Sequence, residues 1–229
     1  MPVDTEAIRP EDVALAEQWA REDGYDALVS TDGDSDRPLL SDERGRWLRG
    51  DLAGILCARF LDADAVCTPV SCNTAVDSCG AFGKVVRTRI GSPYVIEGIE
   101  RLIGSGAQTV VGFEPNGGFL VGSAIEKNGR TLGALMTRDA VLPILCLLSM
   151  ARESGIKVSE LLDRLPTRFT ASDRLQNFPT ETSRALLLNL SASPDAVGAL
   201  LDGLCGKPLG LDQTDGLRIT LEGNEIVHF

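Results

Sequence analysis

The sequence predicts an α/β protein built around a layered domain with a mixed sheet. Short apolar segments alternate with segments of helical periodicity between about Ala65 and Glu153, and short polar connections join them. The composition is 43% hydrophobic and 24% charged, which is typical of a globular protein. A chain of 229 residues has room for one or two domains and a substantial core. A change of pattern near Pro166 indicates that a second domain begins there.

The first elements lie on either side of an acidic loop. The spacing of Val13, Ala16 and Trp19 predicts a helix over 10–23, with Gly24 as its C-terminal stop. A short buried strand is predicted over 27–29. It leads into the polar loop 31–38, and a second helix is predicted over about 51–61.

The middle of the chain carries the alternation. Strands are predicted over 65–70, 85–90, 109–113 and 131–136. Helices are predicted over 74–82, 93–103 and 138–153. We expect Thr137 to cap the last of these helices and Asp139 to be an acidic residue of its first turn.

The C-terminal part has a different texture. Helices are predicted over 158–165, 181–190 and 194–204. Two short apolar strands, 217–221 and 226–229, surround a polar turn and predict a β-hairpin. The two tryptophans, Trp19 and Trp47, are expected in the core.

Charge and residue usage exclude several classes of function. The chain has 22 basic and 33 acidic residues, a net charge of -11, which argues against nucleic-acid binding because phosphate backbones need clustered cations. The chain has one histidine, His228, so neither a Ser-His-Asp triad nor an H-E-x-x-H zinc site can be assembled without it. The acidic N-terminus is not a signal peptide, and the longest apolar run, 140–150, contains Pro143 and is too short to span a bilayer. We therefore expect a cytoplasmic protein, no membrane partner and mostly buried, reduced cysteines.

The acidic loop is the strongest candidate for chemistry. Asp32, Asp34 and Asp36 alternate after a strand, so three carboxylates can converge on one hard cation. A solvated acidic turn is the simplest alternative. An EF-hand needs glycine at its sixth position, where this chain has Arg37. A haloacid-dehalogenase-like phosphatase would use Asp32 as nucleophile and Asp34 as acid/base, but no convincing downstream acidic pair follows.

Three motifs together carry a family resemblance. The loop D-G-D-S-D-R at 32–37 resembles the D-G-D-G-D-R magnesium loop of the α-D-phosphohexomutases, the phosphomannomutase/phosphoglucomutase superfamily. The segment G-F-E-P-N-G-G at 112–118 resembles the G-E-x-S-G-H sugar-binding loop of that family. The segment R-T-R-I-G at 87–91 resembles its K-T-x-x-G segment. The three motifs stand in the family's order, and the resemblance covers nearly the whole chain.

The resemblance implies a domain organisation. Family members have four domains, so residues 1–46 resemble the C-terminal part of the second, a partial α/β domain with the magnesium loop. Residues 47–165 resemble the third, a three-layer α/β/α mixed-sheet domain with the sugar loop, and 166–229 an incomplete α+β fourth domain. The family's phosphoserine loop and its R-P-S-G phosphate loop are not found. We therefore expect a chain truncated at both ends, inactive alone, and inclined to self-associate through uncovered apolar surface.

The resemblance also implies residue roles in phosphoryl transfer on a hexose phosphate. The magnesium ion would be held by Asp32, Asp34 and Asp36, and Arg37 would contact the transferring group. The substrate would be bound by Glu114, Asn116, Arg87 and Arg89. Asn116 stands where the family commonly has serine and Gly118 where it has histidine, which suggests a divergent subgroup.

Two alternatives stay open. The segment T-A-S-D-R at 170–174 echoes the start of the family's serine loop, but it follows the sugar loop and lacks H-N-P, so Ser172 is expected in an ordinary turn. The chain could also be a non-catalytic module that binds a metal or a sugar phosphate.

Overall fold

The computed structural model describes Thr5, residues 8–172, Leu175, residues 177–203 and residues 205–229. The described residues up to Ser172 form one compact unit, and those from Leu175 onward form a second. The predicted domain boundaries at 46/47 and 165/166 stay predictions.

The first unit begins with a helix and a β-hairpin. Helix α1, Pro10–Asp23, ends as predicted at Gly24, which adopts the left-handed conformation with φ 66°. Strands β1, Val29–Thr31, and β2, Pro38–Leu40, pair antiparallel. The predicted buried strand at 27–29 is wrong in position and burial, because the chain folds back on itself after Thr31 and leaves Val29 53% exposed.

A four-stranded mixed sheet forms the centre of this unit. Its order is β4-β3-β5-β6. The strands are β3, Ala65–Pro69, β4, Lys84–Thr88, β5, Val110–Phe113, and β6, Phe119–Val121. β3 runs parallel to both β4 and β5, whereas β6 pairs antiparallel with β5. The prediction of a mixed sheet is confirmed, although β6 had not been predicted.

Helices cover both faces of the sheet. Helix α2, Gly50–Phe60, and helix α5, Val141–Ser154, pack on one face, and helix α4, Ser92–Gly104, packs on the other. Alternate residues of β3 divide between the two cores: Val66 belongs to the α2/α5 side, and Ala65 and Cys67 belong to the α4 side. The predicted three-layer α/β/α arrangement is confirmed.

Shorter elements complete the first unit. Helix α3, Ala75–Ser78, is only four residues long, so the predicted helix over 74–82 is mostly turn. Strands β7, Ile125–Lys127, and β8, Arg130–Leu132, form a separate hairpin in place of the single strand predicted over 131–136. Helix α6, Val158–Leu161, continues into one 3₁₀ turn.

The start of α5 differs from the prediction. The helix begins at Val141 and not at 138, and the Asp139 carboxylate accepts hydrogen bonds from the backbone N–H groups of Val141 and Leu142 at 2.8 and 3.2 Å. Asp139 therefore does the capping that the sequence had suggested for Thr137.

The second unit is a small α+β assembly. Helices α7, Thr180–Ala192, and α8, Pro194–Leu201, accompany a three-stranded antiparallel sheet in the order β11-β10-β9. Its strands are β9, Pro208–Asp212, β10, Arg218–Leu221, and β11, Ile226–His228. The predicted hairpin is β10–β11, whereas β9 had not been predicted. The predicted end of the 194–204 helix, Leu204, lies outside the described residues.

Some expectations about burial are wrong. Trp19 is 46% exposed because α1 buries only Ala16 and Ala20, and Trp47 is half-buried. The prediction of free and mostly buried cysteines is confirmed, because all six are free and four are buried; Cys79 is partly buried and Cys205 is exposed. No helix in the described part of the chain is both long and apolar enough to cross a membrane.

Candidate functional site

The acidic loop closes the β1–β2 hairpin. Asp32 organises it: one carboxylate oxygen accepts hydrogen bonds from the backbone N–H groups of Asp36 and Arg37 at 3.2 and 3.1 Å. Ser35 adopts a left-handed conformation, φ 64°, which lets the loop reverse direction. As a result, ligand atoms from Asp32, Asp34 and Asp36 lie within 4.8 Å of one another. The structure thus brings together the three carboxylates that the sequence had singled out. We call residues 32–37 the aspartate loop.

Two arginines offset this negative charge. The Arg37 Nε atom lies 3.4 Å from Asp32 Oδ2 and 3.5 Å from Asp36 Oδ1. Arg138 approaches from the segment before α5, and its Nη2 atom lies 2.6 Å from Asp36 Oδ2. The sequence analysis had not singled out Arg138. Its only sequence signal is a basic residue just before a helix, which is not specific to a site.

The surroundings of Asp36 disfavour its charged form. Burial from water raises the pKa of its carboxyl, Arg138 opposes that shift, and the neighbouring carboxylates Asp34 and Asp32 add to it, so the net shift is upward. Asp36 Oδ1 is buried and makes no hydrogen bond with the described residues. An oxygen in this state has capacity for a cation.

The second candidate segment is the turn between β5 and β6, residues 114–118, which we call the hairpin turn. The Glu114 N–H donates to the Gly118 carbonyl at 3.0 Å, and the Gly117 N–H donates to the Glu114 carbonyl at 3.0 Å. Asn116 Oδ1 accepts from the Gly118 N–H at 2.9 Å, which holds the turn closed. Glu114 and Asn116 are 3% and 7% exposed.

The hairpin turn lies against Pro38, the first residue of β2 and the residue directly after the aspartate loop. Gly117 has φ 91°, and a Cβ atom there would be 3.0 Å from Pro38 Cδ, so both the backbone and the space require glycine. The turn follows the carboxyl end of β5, the edge at which α/β sheets place their ligands. The two candidate segments are therefore neighbours, although more than 70 residues separate them in sequence.

Glu114 also lines a cavity of about 200 Å³. Polar and aromatic side chains contribute to its wall, among them Trp47, Arg49 and Ser71. Ser172 lies on the same wall, whereas Asp173 and Arg174 of the 170–174 motif lie outside the described residues. A buried carboxylate beside such a cavity can accept hydrogen bonds from hydroxyl groups of a polyol ligand.

A buried carboxylate that sequence reasoning missed supports this wall. Asp51, at the start of α2, is fully buried. It accepts a hydrogen bond from the Asn73 N–H at 2.9 Å, and both its oxygens lie 3.3 Å from the Arg49 guanidinium. Asp51 thereby ties Arg49 and the segment after β3 together.

The two arginines of the R-T-R-I-G segment have different surroundings. Arg87, on β4, donates to the backbone carbonyls of Pro69 and Cys72 at 2.9 and 3.0 Å and pairs with Asp77 at 2.6 Å. These contacts use most of its donors to hold the segment after β3. Arg89 lies beyond the end of β4, is exposed, and stacks over the Tyr94 ring at 4.8 Å. The expectation that both lie on one strand is wrong, and their substrate contacts stay predictions.

Comparison with known proteins identifies the family of this chain. The sequence model for phosphoglucomutase/phosphomannomutase, alpha/beta/alpha domain III, matches residues 49–169, more than half of the chain. The chain therefore belongs to the phosphoglucomutase/phosphomannomutase family, as the motifs had predicted.

Individual relatives extend the match to the whole chain. It is 45% identical over 230 residues to a phosphomannomutase of Sinorhizobium fredii and 46% identical over 229 residues to one of Salmonella muenchen. Both matches cover 100% of this chain and 48% and 47% of the relatives, so the chain spans about half their length.

Solved structures agree on the fold. A family protein from Burkholderia thailandensis superposes with a TM-score of 0.67 at 19% identity, over 96% of this chain and 42% of that one. A structure titled putative phosphomannomutase from Thermus thermophilus gives 0.63 at 18% identity, over 96% and 43%.

Proposed function

We propose that this chain supplies the metal-holding and sugar-holding segments of a phosphohexomutase, an isomerase that moves a phosphoryl group between two oxygens of a hexose phosphate. The observation that carries the proposal is the convergence of Asp32, Asp34 and Asp36 within 4.8 Å beside the hairpin turn that bears Glu114. Family membership favours this reaction over that of a haloacid-dehalogenase-like phosphatase or a plain binding module.

The aspartate loop fits Mg²⁺. Its ligands are hard carboxylate oxygens, and Asp36 Oδ1 is a buried oxygen without a hydrogen bond to the described residues. We infer that Asp32, Asp34 and Asp36 each give one oxygen to the ion. When bound, the ion supplies positive charge against the oxygens of the phosphoryl group.

Arg37 would contact the transferring phosphoryl group. It is the residue directly after the three carboxylates, its side chain is one-third exposed, and the two ion pairs hold it at the edge of the loop. A guanidinium has a planar fork of donors that matches phosphate oxygens. We propose that it positions the group and stabilises its charge, which is most of what phosphoryl transfer demands from protein side chains.

Glu114 and Asn116 would hold the sugar. The buried Glu114 carboxylate lies on the cavity wall and can accept hydrogen bonds from two hydroxyls. Asn116 keeps the turn closed through its Oδ1 atom, and its amide nitrogen would donate to the sugar. Arg87 would act by holding the 69–73 segment, and the exposed Arg89 would be available to a phosphate.

We propose mannose phosphate as the hexose phosphate. The two relatives that match the whole chain at 45% and 46% identity are both named phosphomannomutase. A relative named probable phosphoglucosamine mutase, from Methanothermobacter thermautotrophicus, is 28% identical over 214 residues, which is a weaker match.

We also propose a cellular location and a mode of assembly for the chain. We propose that the reaction takes place in the cytoplasm, without a nucleic-acid or membrane partner. We further propose that the chain self-associates through apolar surface around α1 and β1, where Trp19, Tyr25 and Val29 are each about half exposed.

A coupled mutase assay, primed with hexose bisphosphate, tests the function. We expect these 229 residues alone to show no turnover, because they span about half the length of the phosphomannomutases that they match. Turnover should follow when a fragment with the serine-bearing domain of a relative is added, and Asp34→Asn or Glu114→Gln should abolish it. Turnover by the chain alone that disappears on Ser172→Ala would overturn this assignment.

A further inference from the structure

One arginine side chain touches both candidate segments. Arg138 pairs through Nη2 with Asp36 Oδ2 at 2.6 Å, and the two side chains are 24% and 23% exposed. The aliphatic stem of the same arginine lies on Gly118 in the hairpin turn. A Cβ atom at position 118 would be 2.5 Å from Arg138 Cδ and 3.0 Å from Cγ.

Gly118 serves this contact by its size. Its φ is not in the left-handed region, so the backbone would accept other residues. A Cβ atom at 118 would also lie 3.1 Å from Asn116 Oδ1, but its closest contacts are with the Arg138 stem, which is flexible and would be displaced. A side chain at 118 would therefore shift the stem that carries the ion pair with Asp36.

The positive charge of Arg138 affects how the aspartate loop can bind a cation. Three carboxylates within 4.8 Å are offset by Arg37 and Arg138. Arg138 pairs with Asp36 Oδ2, whereas the buried Oδ1 lies 3.5 Å from Arg37 Nε and makes no hydrogen bond with the described residues. A cation that enters the loop must therefore share Asp36 with a resident guanidinium, which repels it.

We propose that Arg138 is a positioning residue that couples the aspartate loop to the hairpin turn. Its guanidinium is a counter-ion of Asp36, and its aliphatic stem packs on Gly118. The inference rests on the proposed function for what each segment binds. A ligand that moves the hairpin turn shifts Arg138 and changes the affinity of the aspartate loop for a cation. By linkage, the cation changes the affinity of the turn for that ligand by the same factor.

Calorimetric titration of the full chain with Mg²⁺ tests the coupling. Arg138→Met keeps an apolar stem and removes the charge, so Mg²⁺ should bind about tenfold more tightly, as expected for losing one unit charge several Å from a divalent ion. Gly118→Ala should tighten binding in the same direction although it touches no aspartate. Arg101→Met, on the exposed side of α4, is the matched control and should leave the affinity unchanged.

The titration can contradict the inference directly. A merely structural Arg138 would give weaker or unchanged Mg²⁺ binding in Arg138→Met. That result, or a Gly118→Ala variant that binds Mg²⁺ like the unchanged chain, would overturn the coupling while leaving the metal site of the proposed function in place.

A measurement without metal tests the role of Arg138 independently of the proposed metal site. In a thermal double-mutant cycle, Asp36→Asn and Arg138→Met should be non-additive by about 2–4 °C, since they remove the same ion pair. The non-additivity should disappear when the cycle is repeated with Gly118→Ala. If the unchanged chain binds no Mg²⁺, the proposed metal site fails and this cycle alone decides the coupling. Additive shifts with Gly118 present would overturn it.

Discussion

At the scale of residues, the aspartate loop shows how local backbone contacts bring like charges together. Asp32 uses one oxygen to accept two backbone N–H groups, and the left-handed Ser35 completes the reversal. Asp34 is exposed, and its carboxylate accepts no hydrogen bond from the described residues. It therefore adds negative charge to the loop without holding it together.

Changing Asp34 to Asn should separate metal binding from stability. Without metal, we expect Tm to stay the same or rise by up to about 2 °C, because one like charge leaves the cluster. The rise of Tm on adding Mg²⁺ should be lost, because a ligand is gone. Differential scanning calorimetry with and without MgCl₂ measures both effects. Asp163→Asn, at an exposed site outside the loop, is the control and should keep the Mg²⁺ response of the unchanged chain.

At the scale of elements, helix and loop ends are decided by which side chain reaches a free backbone N–H. Asp139 caps α5, and Glu43 ties the segment after β2 to the start of α6. Ser159 donates to Glu43 through its hydroxyl at 2.7 Å and its N–H at 3.2 Å. Both contacts can be tested by substitution.

Substitutions at Asp139 and Thr137 test which of the two side chains caps α5. Asp139→Ala should destabilise the first unit by about 1 kcal/mol, because two N–H groups lose their acceptor. Thr137→Ala should cost much less, since Thr137 lies four residues before the first helical residue, Val141. Urea unfolding of both variants measures the difference. Equal losses, or a larger loss for Thr137→Ala, would contradict the assigned cap.

The contact of Glu43 should make stability depend on pH. Burial alone raises the pKa of Glu43, but the hydrogen bonds from Ser159 and the nearby Arg44 outweigh it, so the pKa in the folded state is lowered. A lowered folded pKa contributes stability that is present above the unfolded value, about 4.5, and is lost as the pH falls through the folded value.

Glu43→Gln should therefore be less stable than the unchanged chain at about pH 7, and the difference should shrink towards about pH 3. Urea unfolding at several pH values measures this. Glu153→Gln, at an exposed position of α5, is the control and should show no such trend. A difference that is constant with pH would contradict the assigned role of the carboxylate.

At the scale of the whole molecule, large hydrophobic side chains of α1, β1 and the segment between them are partly exposed. Trp19, Tyr25 and Val29 are 46%, 47% and 53% exposed, and α1 buries only two alanines. We expect the chain to associate as its concentration rises, since burying such side chains is favourable. Light scattering over a hundredfold range of concentration measures this. Trp19→Glu should shift the equilibrium towards monomer, and a clean monomer at every concentration would contradict the expectation.

The sequence by itself determined the α/β class, the mixed sheet and the family, because strand and helix periodicity and three ordered motifs are local properties. It also determined which aspartates converge, since alternation in one tight loop needs no distant partner. Only the tertiary structure decided that Asp139 caps α5, that Trp19 is exposed, and that β6 and β9 are strands, because these depend on neighbours remote in sequence. The same holds for Arg138. Its link between Asp36 and Gly118 joins residues about 100 and 20 positions away, and no local pattern marks such a contact.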